Sequence, residues 1–136
     1  LSSTAELIKN TLKKLNTSAS LELYRYGGEE FVVVCQKMNF HTACKVSEIL
    51  RKSIAGVRYK VANNSLSVTA SFGVAPYTDL DRLGSRVFEK ADTCLYKAKR
   101  AGRNRVVIID NGVIKAYPPV VKDKKQHNEA NKLTQS

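Results

Sequence analysis

Apolar and polar positions along the chain change period several times, and each change marks an element. Between residues 5 and 15, Ala5, Ile8, Leu12 and Leu15 recur at three- and four-residue spacing, the stripe of an amphipathic helix. Ser2, Ser3 or Thr4 can cap it, Glu6 suits its first turn, and Asn16-Thr17-Ser18 ends it. Two strand-like runs follow, residues 20–24 and 31–36, joined through Gly27-Gly28, and they predict a β-hairpin. Residues 42–55 return to a helical period, with Ala43, Val46, Ile49, Leu50 and Ile54 facing inward. Residues 57–61 and 66–74 predict a second antiparallel pair that turns at Asn63-Asn64. A third helix is predicted over 83–100 from the stripe Leu83, Val87, Ala91, Cys94, Leu95 and Ala98, and Ala101-Gly102 stops it. Residues 106–109 predict a last strand, and no internal repeat is visible.

The order helix, strand, strand, helix, strand pair, helix, strand predicts an α+β fold, a sheet covered on one face by helices. After Asp110-Asn111-Gly112 the composition shifts. Residues 113–121, with Pro118-Pro119, predict a short packed extension, whereas 122–136 are polar and lysine-rich and are expected to be disordered. The chain thus divides into a domain over 1–110 and a C-terminal extension over 111–136. Its length of 136 residues allows one domain with a modest core. No apolar run approaches the ~20 residues that span a bilayer, so no direct membrane contact is expected from this segment. The chain has no initiator Met and no signal-peptide pattern at its start, which sets the expectation of a processed chain or a piece of a longer one.

Three cysteines, Cys35, Cys44 and Cys94, sit within apolar patterns and form no CxxC pair; they read as small core residues in a reducing compartment. His41 and His127 lack metal-ligand spacing and read as surface residues. The net charge of +11 raises nucleic acid as a partner. Its distribution argues against one. Lys97, Lys99, Arg100, Arg103 and Arg105 form one cluster and Lys122, Lys124 and Lys125 another, without the aromatic interleaving that stacks bases.

Candidate chemistry concentrates in Arg25-Tyr26-Gly27-Gly28-Glu29-Glu30-Phe31. Adjacent carboxylates are poor strand formers and repel one another unless a cation or solvent offsets them. A bare Gly-Gly turn also lets a ligand approach the backbone. Two readings follow from these residues alone: a solvated hairpin tip, or a site for a metal-bound polyphosphate.

This turn resembles the signature of the GGDEF family, the bacterial diguanylate cyclases, in its Gly-Gly-Glu-Glu-Phe variant. Two further blocks match the family in order and spacing, Ser71-Phe72-Gly73-Val74-Ala75 and the stretch from Ala91 to Val106. The resemblance covers roughly residues 8–109. It implies a ferredoxin-like palm similar to that of nucleotide cyclases and polymerases, with a central antiparallel-rich sheet under covering helices. It implies condensation of two GTP molecules into cyclic di-GMP by a homodimer, with Mg²⁺ or Mn²⁺ as cofactor. Glu29 is the implied catalytic residue and metal ligand, with Glu30 as the second acidic contributor. Gly27 and Gly28 are implied to let the nucleotide lie against the backbone, and Lys99 and Arg103 to hold the β- and γ-phosphates. Lys99 and Arg103 share a face only if the third helix persists past Gly102. Asp92 is expected to be structural, and the role of Arg25 stays open. An upstream sensory domain and a cytoplasmic location, free or as part of a membrane-anchored protein, are expected of the parent.

The chain departs from the family in three places. It has no DxDxFKxxND-like segment, whose Asp shares the metal and whose Asn faces guanine, so the domain reads as incomplete at its N-terminus, lacking the first strand. Leu1-Ser2-Ser3-Thr4-Ala5 holds no carboxylate where the family places an Asp for guanine. The RxxD product-inhibition site falls on Ser18 and Leu21, so no feedback site is expected. These departures leave room for a second reading, a degenerate or truncated domain that binds GTP as a regulatory module without turnover.

Overall fold

The computed structural model describes residues 2–15, 20–27, 30–78 and 85–120. Expectations resting on Ser18, Gly28, Glu29, Leu83 and residues 122–136 lie outside the described residues.

The first helix, α1 (Ser2–Lys14), packs on α2 (Phe40–Ala55), and between them in sequence lies the hairpin of β1 (Ser20–Arg25) and β2 (Phe31–Gln36). The hairpin is antiparallel, from Ser20 opposite Gln36 to Arg25 opposite Phe31. Side chains alternate across a strand. The face holding Leu21, Leu23, Phe31 and Val33 therefore packs on the core formed by Ile8, Leu12, Val46, Leu50 and Ile54. The second helix starts at Phe40, two residues ahead of the predicted start, because the Asn39 side chain caps it by accepting a hydrogen bond from the Thr42 amide at 2.8 Å.

The next apolar stretch differs from expectation. Strand β3 (Arg58–Val61) pairs with β4 (Asn64–Ser67) around a turn at Ala62-Asn63, one residue earlier than the Asn63-Asn64 turn predicted. The chain then leaves that ladder, and β5 (Phe72–Val74) pairs in parallel with β6 (Val106–Asp110). Residues 66–74 thus serve two ladders instead of one strand, with β4 exposed along its length and β5 partly buried. An apolar run records that a strand is buried but not which neighbour buries it. Beyond the turn at Asn111 and Gly112, with φ of 50° and 79°, β7 (Val113–Tyr117) runs antiparallel to β6. Two consecutive positive φ values are the signature of the tight turn that suits a twisted hairpin.

The third helix, α3 (Ser85–Arg100), lies across β5 and β6. Cys94 and Ala98 are fully buried against Val107. Gly73 makes this packing possible: a Cβ there would lie 2.1 Å from the Ala91 carbonyl oxygen and 2.4 Å from the Leu95 amide nitrogen. The fold is α+β, with three helices and seven strands among the described residues. None of these helices is long and apolar enough to cross a membrane.

Candidate active site

The β1–β2 turn closes on itself. The Tyr26 amide donates to the Glu30 carbonyl at 2.8 Å, and the Glu30 amide donates to the Gly27 carbonyl at 3.1 Å. Gly27 has φ of 56°, the left-handed region that glycine enters without steric cost. Gly28 and Glu29 occupy the tip of this turn in sequence and lie outside the described residues.

Two contacts dock the turn on α3. The Lys99 ammonium is 3.2 Å from Oε1 of Glu30, a pair separated by 69 residues in sequence. The Tyr26 ring lies 5.0 Å from that of Phe88, tilted by 57°. The Glu30–Lys99 pair is partly solvated, at 44% and 36% exposure, so its contribution to stability is small. Its importance is geometric, because it brings one predicted acidic residue and one predicted phosphate-binding residue to the same place. Phe88 is not on the buried stripe of α3, and sequence reasoning gave it no role.

The end of α3 explains where Arg103 sits. The Arg103 amide donates to the Ala98 carbonyl at 3.0 Å and the Gly102 amide to the Lys99 carbonyl at 3.5 Å. These two bonds form a Schellman cap, and Gly102 at φ of 125° supplies its positive angle. The helix therefore ends between Lys99 and Arg103, and their four-residue spacing does not put them on successive turns of one helix. Arg103 continues in the left-handed region, at φ of 65°, and its carbonyl accepts from Nε of Arg105 at 2.9 Å. Its side chain is exposed, as are those of Lys97, Arg100 and Arg105, giving this end of α3 a basic surface. The Arg100 guanidinium stacks 5.8 Å over the Tyr96 ring.

The other predicted residues are placed plainly. Leu21 is in the hairpin face against the core, Asp92 is exposed on α3, and His41 is exposed at the start of α2. Cys44 and Cys94 are buried and Cys35 half-buried, all as free thiols. Burial pushes each thiol upward, and the nearby Asp110 carboxylate helps raise Cys44 to about 11. These are inert core thiols at neutral pH. Among the described residues no three His, Cys, Asp or Glu side chains converge as a ready-made metal cluster. The Glu30 carboxylate nevertheless suits a hard cation of the Mg²⁺ type, which is held by one or two carboxylates together with substrate phosphates.

Comparison with known proteins bears on this arrangement. The family model described as diguanylate cyclase, GGDEF domain, matches residues 1–105. Diguanylate cyclase A of Treponema denticola is 37% identical over 117 residues, covering 85% of this chain and 30% of that protein. Diguanylate cyclase DgcP of Pseudomonas aeruginosa is 36% identical over 103 residues, covering 76% of this chain and 15% of its own length. This chain thus spans less than a third of either relative. Among solved structures, the active GGEEF domain of a diguanylate cyclase from Vibrio cholerae superposes with a TM-score of 0.67 at 30% identity. It covers 79% of this chain and 65% of that one.

Proposed function

Since the chain belongs to the GGDEF family of diguanylate cyclases, we propose that it is the catalytic domain of an enzyme that condenses two GTP molecules into cyclic di-GMP. The observation that carries this reading is the contact between Glu30 and Lys99, which joins the acidic turn to the basic end of α3. An acid that can hold a divalent cation and a base that can hold a terminal phosphate converge, as polyphosphate chemistry requires.

In this reading Lys99 and Arg103 bind the β- and γ-phosphates of GTP, and Gly27 and Gly28 leave the nucleotide room against the turn backbone. Glu29 and Glu30 hold Mg²⁺ or Mn²⁺, which neutralises charge on the triphosphate when bound. Glu29 accepts the proton of the attacking 3′-hydroxyl. Each 3′-oxygen forms a bond to the α-phosphorus of the GTP held by the other subunit, and the bond to pyrophosphate breaks. Two attacks close the ring and release two pyrophosphates. Each subunit presents one GTP, so a homodimer is the catalytic unit. Ser18 and Leu21 offer no charge to a bound product, so cyclic di-GMP does not inhibit through this position. A cytoplasmic location, where GTP is available, and control by a sensory domain of the parent protein complete the proposal.

Equilibrium binding of a non-hydrolysable GTP analogue tests it. Lys99→Ala and Arg103→Ala are each expected to weaken binding about tenfold or more, the scale of losing one charge-assisted hydrogen bond. Wild-type affinity in both variants would refute the assignment of the phosphate site.

A further inference from the structure

The turn that carries Arg103 is held from outside by a side chain to which nothing so far gives a role. Arg51, on α2, directs Nη1 to Oδ1 of Asn104 at 2.9 Å, across 53 residues of sequence. Its other two nitrogens each donate to Glu48, one helical turn earlier. Nε meets Oε2 at 2.9 Å and Nη2 meets Oε1 at 2.6 Å. This two-point contact locks the plane of the guanidinium, which a single contact would leave free to swing. The two side chains are only 18% and 14% exposed, so water screens them weakly. They stand on a seated helix, because Cys44, Val46, Leu50 and Ile54 of α2 are buried in the core.

The turn needs such support. Arg103 and Asn104 occupy the left-handed region in succession, at φ of 65° and 46°. Residues other than glycine enter that region at a steric cost, which Asn bears better than Arg. Local bonds supply part of the restraint: the α3 cap, Arg105 Nε on the Arg103 carbonyl, and the Phe72 amide on the Arg105 carbonyl at 2.9 Å. Those bonds fix the turn to α3 and β5. The Arg51–Asn104 bond ties this turn to α2 as well.

We propose that Arg51, clamped by Glu48 and acting through Asn104, is a positioning residue that holds the Arg103 turn in its phosphate-binding geometry. The inference rests on the reading of Arg103 given above and extends it to a residue that touches no substrate. Arg51→Ala and Asn104→Ala are each expected to weaken binding of a non-hydrolysable GTP analogue about tenfold, as loss of a bond to a charged group would. Combined with Arg103→Ala, either change should have no further effect on affinity, because the side chain being positioned is gone. In Arg51→Ala the Arg103 and Asn104 amides should also exchange hydrogen faster than in wild type.

The outcomes separate. Unchanged affinity in Arg51→Ala and Asn104→Ala, with Arg103→Ala weakened, overturns this inference and leaves the phosphate site standing. Unchanged affinity in Arg103→Ala overturns both. A loss that persists undiminished in the Arg103→Ala background shows a merely structural role and also overturns it. Asn104→Ala decides the matter if Arg51→Ala does not fold, since Asn104 is an exposed turn residue.

Discussion

Glu30 and Lys99 illustrate how little a contact need stabilise to matter. At the exposures observed the pair adds little to folding, but in the proposed function it sets an acid against a base where charge is exchanged with a ligand. Glu29 is the residue on which the proposed chemistry depends most. Glu29→Ala is expected to lower turnover by about a hundredfold or more, the range of a lost acid–base group, with an unchanged thermal midpoint. Turnover near wild type would contradict its role. The thiols give a second expectation at this scale. Raised by burial, Cys44 and Cys94 should resist a thiol reagent in the native protein and react once it is unfolded, with Cys35 the first to label. Rapid native labelling of Cys44 would show that the core opens there. The acid side of stability is set in part by Glu48. The Arg51 guanidinium holds its carboxyl below the usual carboxylate range. A group depressed in this way stabilises the fold above its unfolded pKa, and the contribution is lost as pH falls through the folded value. The difference in urea midpoint between wild type and Arg51→Ala should therefore narrow between neutral pH and about pH 3. A difference independent of pH would contradict the ion pair. The acidic turn was legible from sequence because Gly-Gly followed by two carboxylates is unusual between strands. Arg51 was not legible, because its link to Asn104, 53 residues away in sequence, exists only after folding.

At the scale of elements, Gly73 couples β5 to α3. No side chain fits between that strand and the Ala91–Leu95 backbone. Gly73→Ala must push the helix off the sheet, and overpacking of this kind costs about 2 kcal/mol or more. The test is the urea midpoint, and a midpoint equal to wild type would mean that the helix is not seated as described. Helices were readable because each carries an apolar stripe: Ile8 and Leu12, Val46, Leu50 and Ile54, Cys94 and Ala98 are all buried, although Ile49, expected to face inward on α2, is 41% exposed. Strands were readable as strands but not as partners. The run over residues 66–74 concealed a change of ladder at 68–71, and the extension beyond Gly112 concealed the edge strand β7. Pairing depends on which edges tertiary packing brings together, and period alone carries no record of that. The end of α3 was half-legible: Gly102 marked the stop, while the two left-handed residues that follow it did not show.

For the whole molecule, part of the basic balance of +11 gathers at the end of α3, where the proposed function puts the phosphates. A reaction between two GTP molecules on facing subunits has a consequence that no single-chain enzyme shares. Specific activity should rise with protein concentration until the dimer is saturated, and then level off. Specific activity independent of concentration down to high dilution, in protein shown to be monomeric there, would exclude the two-subunit scheme. The central claim, that the turn at Gly27–Glu30 makes cyclic di-GMP, is tested most directly by incubating the full-length protein with GTP and Mg²⁺ and separating the products by chromatography, beside Glu29→Ala. Cyclic di-GMP and pyrophosphate from wild type, and neither from the variant, is the predicted result. GTP bound by wild type but left unconverted, or equal product from both proteins, would contradict it.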